Sequence, residues 1–133
     1  GGTTVATRAI VSTAVYSGVA SVGPVATADE PASDATFGHT TPGVSVPVDG
    51  AWVVSYWSDK TSTTTGWLPP LGQISRAAPV SSYDPTVPGT VRVSGLLTDD
   101  GVPALAGSRA GLTAVASGKS AAATTVSVVL RSG

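Results

Sequence analysis

His39 is the only histidine of the chain, and histidine is the residue type most often used as a general base. A serine hydrolase of the triad type would also need an orienting carboxylate and a nucleophile in contact with that base. Asp34 precedes His39 and serines are plentiful, but no G-x-S-x-G sequence marks a nucleophile. We therefore assign no catalytic residue, and we expect a hydrogen bond to order the turn His39–Pro42.

Acidic residues are the second candidate for chemistry. Asp99 and Asp100 precede Gly101 in a turn sequence, and with Asp84 they offer the oxygen ligands that calcium prefers. A calcium site needs about six or more oxygens, and no D-x-D-x-D run is present, so a solvated turn is the alternative interpretation. A glycosidase would need two acids held about 5–10 Å apart in a cleft, and the sequence places no such pair on facing strands. No cofactor is indicated.

Aromatic residues are the third candidate, because their faces stack on sugars and partner surfaces. On a strand, Trp52, Val54 and Tyr56 share one face, and Trp57 lies on the other. We predict that the face holding Val54 is the core face. Trp57 and Trp67 flank a Ser/Thr-rich loop, and together with Tyr56 they are the candidate ligand-binding residues.

The composition limits the class of protein that could carry these residues. The hydrophobic fraction of 41% supports a folded core, and the absence of cysteine excludes disulfides and thiol chemistry. A net charge of −1 with scattered basic residues gives no electrostatic footprint for nucleic acid. No apolar run reaches the roughly 18 residues of a membrane-spanning helix. The sequence therefore predicts a folded domain that binds neither nucleic acid nor the membrane interior.

Alternating apolar and polar residues, separated by Gly, Pro and Asp, predict an all-β fold. We predict one domain over residues 1–133, an antiparallel β-sandwich of the jelly-roll type, with long loops at residues 19–41 and 79–89. Gly95 is expected to form a bulge. The predicted strands are Thr3–Tyr16, Val44–Val48, Ala51–Ser58, Gly72–Ala78, Thr90–Thr98, Gly111–Ala116 and Thr124–Leu130.

The segment Gly50–Trp67, GAWVVSYWSDKTSTTTGW, resembles a β-sandwich module of large secreted or surface proteins of high-GC Gram-positive bacteria, which also carry PKD or LamG-type modules. In that module a segment like His39–Pro42 precedes the aromatic strand. A Trp-x-x-Pro-x-Gly turn follows it, to which Trp67–Gly72 is similar with one extra residue. Ala14–Gly18 resembles the "YxG" strand end of the module, and Ala110–Leu130 resembles its closing pair of strands.

This resemblance implies an extracellular setting, secreted or at the cell surface, and no catalytic residues. We therefore expect a non-catalytic module for adhesion, carbohydrate or surface binding, or assembly. Because related sandwiches occur in phage tail and capsid proteins, the alternative is a virion structural protein, either a capsid decoration protein or a tail-fibre module. A glycan hydrolase is a third alternative, and the sequence favours it least.

The opening strand Thr3–Tyr16 carries a prediction about partners. It is long and apolar on both faces, with Arg8 as its only charge, which suits a central strand better than an edge. The resembling module has further strands before the position of Thr3, which implies that this chain is the C-terminal part of a larger sandwich. We expect Thr3–Tyr16 to pair with a strand from another copy, another chain or an upstream segment. Surface glycans are the other expected partner.

Overall fold

The computed structural model describes residues 8–30 and 35–133. These residues form strands and no helix. The ten strands are β1 (Val19–Asp29), β2 (Thr36–Thr40), β3 (Val44–Val46), β4 (Trp52–Thr61), β5 (Trp67–Leu68), β6 (Ile74–Ala77), β7 (Arg92–Asp99), β8 (Gly107–Arg109), β9 (Thr113–Ser120) and β10 (Ala123–Ser132).

Antiparallel pairing arranges these strands in three sheets. The largest has the order β1-β10-β4-β7-β6, and the smaller ones have the orders β2-β9-β5 and β3-β8. Both small sheets contact one face of the large sheet, which we call the inner face. The described residues therefore form an all-β, sandwich-like fold.

The inner face is closed by two apolar clusters. One joins the small sheet β3-β8 and its neighbouring loop to the large sheet, and the other surrounds the fully buried Trp57. Trp57 packs with Leu96 of β7 and with Ala114 of β9, so each cluster bridges the two layers. The residues of the first cluster are Val44, Val46, Ala51, Val53, Ala104 and Val129.

Hydrogen bonds from inner-face side chains to the backbone also join the layers. Trp57 Nε1 donates to the carbonyl of His39 at 2.8 Å, and Thr125 Oγ1 donates to the carbonyl of Thr40 at 3.2 Å. Ser127 Oγ donates to the carbonyl of Pro42 at 2.7 Å. Residues 39–42 do not form the turn that we expected, since His39 and Thr40 end β2, and the donors that hold this segment come from β4 and β10. Burial of these polar groups is tolerated because each has a partner.

Four predicted strands in the second half of the chain are confirmed within a few residues, as β6, β7, β9 and β10, whereas the short strand β8 was not predicted. Residues 19–41 differ, because the structure forms β1 and β2 where we predicted a loop. Both are edge strands. Pro24 interrupts the alternation of β1, and an edge strand tolerates a proline that a central strand would not. Gly95 forms no bulge against β4, since it pairs in register with Ser58.

The predicted core face of β4 was wrong. Its fully buried side chains are Val53, Ser55, Trp57 and Asp59, whereas Trp52 and Val54 are half-buried on the opposite face. The sequence of β4 carries aromatic and apolar residues on both faces, so its alternation alone did not identify the inner one.

Of the predicted strand Thr3–Tyr16, residues 3–7 lie outside the described residues. Residues 8–16 form no strand and pair with no strand of the described residues. Their side chains alternate, with Ile10, Ser12, Ala14 and Tyr16 half-buried and the residues between them exposed. We call residues 8–16 the N-terminal arm.

Candidate functional site

The outer face of the large sheet is apolar and only half-covered. The cross-strand pairs Trp52–Leu130, Val54–Val128 and Tyr56–Val126 lie on it, and all six side chains are partly exposed. The N-terminal arm lies against this face. It makes contact at two points, Ile10 against Gly95 and Tyr16 against Trp52.

Gly95 permits the first of these contacts. A Cβ atom at this position would lie 2.9 Å from Ile10 Cδ1 and 2.7 Å from the Tyr56 hydroxyl. Such distances are shorter than any ordinary van der Waals contact. The absence of a side chain in the middle of β7 therefore lets the arm approach the sheet closely.

Asp99 organises the second contact. Its carboxylate is fully buried at the end of β7 and accepts two hydrogen bonds from Arg76, Nε to Oδ2 at 2.7 Å and Nη2 to Oδ1 at 2.9 Å. The Tyr16 hydroxyl donates to Oδ2 at 2.7 Å, and the Gly101 amide donates to Oδ1 at 2.7 Å. Gly101 has a φ of 73°, a left-handed conformation that suits glycine in this turn. One carboxylate thus fixes an arginine, a tyrosine and a turn.

The protonation of this cluster follows from its contacts. Burial alone would raise the pKa of the Asp99 carboxyl, but hydrogen bonds from Arg76, Tyr16 and Gly101 outweigh burial and hold that pKa below its usual value. Burial and the hydrogen bond to Asp99 raise the pKa of Tyr16 to about 12. At neutral pH the carboxylate is therefore charged and the phenol is a neutral donor.

A cleft of about 360 Å³ opens beside this cluster, between the arm and the sheet. Trp52 and Tyr16 supply aromatic rings, with centroids 5.8 Å apart and planes tilted by 48°. The Arg76 side chain is 40% exposed and lines the same cleft, while residues 13–16 of the arm, with the following Ser17, form the opposite wall. Arg76 donates to Asp99 through Nε and one proton of Nη2, so the other guanidinium protons remain available to a ligand.

The three aspartates considered for calcium are not brought together. Asp99 is enclosed by the donors described above, and Asp100 accepts from Gln73 at 2.6 Å and from Arg109 at 2.7 Å. Asp84 lies in an exposed turn, where its carboxylate accepts from the hydroxyl and amide of Thr86. Among residues 8–30 and 35–133, no group of three or more acidic or histidine side chains is placed to hold a metal ion. The solvated-turn interpretation fits Asp84 but is wrong for Asp99, which is buried at the end of β7.

The predicted aromatic binding residues are also separated. Trp57 is fully buried between the layers, which leaves no ring face for a ligand. Trp67 is half-buried, and its Nε1 donates to Ser94 Oγ at 2.8 Å in a network that ends on the buried carboxylate of Asp59. Tyr56 lies on the outer face. The sequence did not indicate Trp52, Tyr16 and Arg76 as a group, because they meet only where the arm packs on the sheet.

His39 lies in an arrangement that resembles a catalytic triad. Its Nδ1 is 2.5 Å from Glu30 Oε2, and its Nε2 is 2.8 Å from Ser120 Oγ. His39 is 1% exposed and Ser120 is 5% exposed, so a substrate carbonyl cannot reach the serine oxygen. The three side chains join the end of β1 to β2 and β9. We interpret them as a structural hydrogen-bond relay.

A second, wider cavity of about 610 Å³ lies beside Asp100 and Arg109. Its exposed apolar lining includes Leu71 and Leu105, which project from loops. The Asp100–Arg109 ion pair borders it, but no aromatic ring contributes to its described lining. It lacks the combination of aromatic faces and fixed donors found in the first cleft.

Comparison with known proteins adds no assignment to this geometry: no family model matches the chain, and no curated protein or solved structure matches it at a significant level. The part of the chain that the structure describes contains no helix of the length and hydropathy needed to cross a membrane.

Proposed function

We propose that this protein is a non-catalytic, extracellular binding module that recognises carbohydrate in the cleft formed by Trp52, Tyr16 and Arg76. The observation that carries the proposal is the Asp99 carboxylate, which fixes two of these side chains at the cleft before any ligand arrives. Fixed donors and rings lower the entropic cost of binding. The cleft volume is within the usual range of about 300–1,000 Å³ for ligand pockets.

The chemistry of the cleft favours a neutral sugar. Aromatic rings such as those of Trp52 and Tyr16 stack on the apolar C–H face of a pyranose, and the free guanidinium protons of Arg76 can donate to hydroxyl oxygens. The charge of Arg76 is already balanced by Asp99, so the cleft has little net attraction for an acidic sugar. Its described lining carries no carboxylate, which supports binding without hydrolysis.

We also propose a jelly-roll topology, which joins two antiparallel sheets through Greek-key connections. Strands from opposite ends of the chain are neighbours in both layers, β1 with β10 and β2 with β9, and this supports the proposal. Alternation between the layers is not strict, because the consecutive strands β6 and β7 are neighbours in the large sheet. Jelly rolls occur in lectin domains and in viral capsid proteins, and both suit a secreted or virion setting.

The proposal is tested by probing an array of neutral and acidic oligosaccharides with the labelled protein. We expect neutral oligosaccharides to bind, and Trp52→Ala and Arg76→Lys each to weaken that binding by about tenfold or more, which is about 1.4 kcal/mol. Leu105→Ala, an exposed site outside the cleft, is the control and should bind normally. Binding that Trp52→Ala leaves unchanged, or no binding to any glycan, would overturn the proposal.

A virion structural protein, such as a decoration protein or tail-fibre module, is the second candidate. The apolar, half-covered outer face favours it, because such faces are typical of surfaces that pack against a neighbour. Electron microscopy of the purified protein distinguishes the two candidates. Regular multimers or filaments favour the virion function, and isolated particles favour the binding module.

A further inference from the structure

The N-terminal arm has the side-chain alternation of a β-strand without the pairing of one. Its side chains alternate between the sheet and solvent over residues 8–16, yet no described strand pairs with its backbone. The backbone N–H and C=O groups along both of its edges are therefore not used in a ladder. An unpaired edge of this kind is a template for another strand.

The exposed side of the arm is as apolar as the side that contacts the sheet. Val11 is 85% exposed and Val15 is 90% exposed. Each such valine placed in water forgoes the free energy that burial of an apolar side chain releases. Natural edge strands usually carry charges or prolines that prevent pairing, and none lies between Ala9 and Tyr16.

Polar atoms of the arm are also unsatisfied. The hydroxyl oxygen of Ser12 is buried, and among the described residues it has no hydrogen-bond partner. A buried hydroxyl without a partner is uncommon in a complete structure. The missing ladder, the exposed valines and the unpaired Ser12 hydroxyl all occur in the same nine-residue segment.

We infer that the N-terminal arm pairs with the arm of a second copy of this chain to form an antiparallel two-stranded ribbon across the outer faces. The arm is self-complementary. Antiparallel pairing centred on Ser12 places Val11 opposite Thr13 and Ala9 opposite Val15 of the other copy, pairs that favour a sheet. It places the only charge, Arg8, opposite Tyr16, so no like charges meet.

Sedimentation velocity over a range of protein concentrations tests this inference. We expect a dimer for the unmodified chain and a monomer for the double variant Ala9→Lys/Val11→Lys, because charges on a strand edge prevent pairing. Both positions are exposed and neither lines the cleft, so the variant should keep its glycan binding, and its thermal midpoint should lose only the concentration dependence that a dimer shows. Leu71→Lys, fully exposed elsewhere on the surface, is the matched control and should remain dimeric.

Hydrogen exchange locates the contact. Amides of residues 9–15 should exchange at least tenfold more slowly at concentrations where the chain is dimeric than in the double lysine variant. A chain that sediments as a monomer at every concentration would overturn the inference, and its arm would then need a different partner strand. A dimer that survives the double lysine variant would also overturn it. These results are independent of whether the cleft binds glycans.

Discussion

The two faces of the large sheet use their residues in opposite ways. The inner face is fully buried, yet about half of its positions are polar, including Ser55, Asp59 and Thr125. The outer face is half-exposed, yet Trp52, Val54 and their neighbours are apolar. Thr125 and Ser127 donate to carbonyls of the second layer, and hydroxyl donors satisfy the carboxylate of Asp59, so these polar groups can be buried. The outer face has no such layer in the described residues, which is why we assign binding and assembly to it.

The contrast extends to acidic residues. On the inner side, Asp59 is buried and accepts from the hydroxyls of Ser94 and Thr64, both of which belong to the folded interior. On the outer side, Asp99 is also buried, but its donors are Arg76 and Tyr16. The guanidinium of Arg76 and the ring of Tyr16 line the cleft. The first carboxylate holds the core together, and the second positions side chains that a ligand can reach.

The largest expected difference between the faces is in stability. Trp57→Ala should lower the free energy of unfolding by roughly 3–5 kcal/mol, because it removes a fully buried ring and leaves the carbonyl of His39 without its donor. Trp52→Ala should lower it by about 1–2 kcal/mol, because that ring is only half-buried. Chemical denaturation of both variants measures the difference. Equal losses would show that the two faces are equally part of the core.

The next effect concerns Asp99 and acid. Asp99→Asn should cost about 2 kcal/mol, the usual contribution of charge-assisted hydrogen bonds. Since the pKa of Asp99 is lowered on folding, its stabilisation is present above the ordinary carboxyl value of 3.8 and is lost as the pH falls through the depressed value. The gap in stability between wild type and Asp99→Asn should therefore shrink in acid. A gap that stays constant down to the lowest pH would contradict the assigned protonation.

Removing the relay serine should have a smaller effect. Ser120→Ala should lower stability by about 1 kcal/mol through the lost hydrogen bond to His39. If the relay is structural, neither wild type nor this variant should react with a fluorophosphonate probe of serine nucleophiles. Labelling of wild type that disappears in Ser120→Ala would show instead that the serine is accessible and reactive.

The smallest effect is at alkaline pH. Because folding raises the pKa of Tyr16 to about 12, the stabilisation from its hydroxyl is complete below pH 10 and is lost as the pH rises toward 12. The stability advantage of wild type over Tyr16→Phe should decline over that interval. The difference in tyrosinate absorbance between the two proteins gives the titration of Tyr16 directly. Ionisation of Tyr16 near pH 10 would mean that its hydroxyl is not bonded to Asp99.

Local patterns in the sequence were sufficient to predict β6, β7, β9 and β10 and the turn that follows β7, but not the three-residue strand β8. The central strands of the sheet have regular alternation there, and turn residues separate them. The edge strand β1 was missed because Pro24 and its polar residues make an exposed edge resemble a loop. Edge strands carry less of the apolar signal on which such predictions depend.

The candidate site was not predictable from the same patterns. Tyr16, Trp52, Arg76 and Asp99 are far apart in the sequence, and no single motif contains more than one of them. Their association depends on the arm crossing the outer face, which Gly95 permits and which no local signal indicates. The sequence did indicate an unusual opening segment, and residues 8–16 are where the unpaired backbone is found.

If the outer face is the binding face, a ligand should move only one of the three tryptophan indole N–H signals in a nitrogen–proton correlation spectrum. Trp57 and Trp67 donate these protons inside the fold, to His39 and Ser94, whereas Trp52 lines the cleft. Addition of a neutral oligosaccharide that the array identifies should move the Trp52 signal and leave the other two in place. Movement of the Trp57 or Trp67 signal with Trp52 unchanged would contradict the claim.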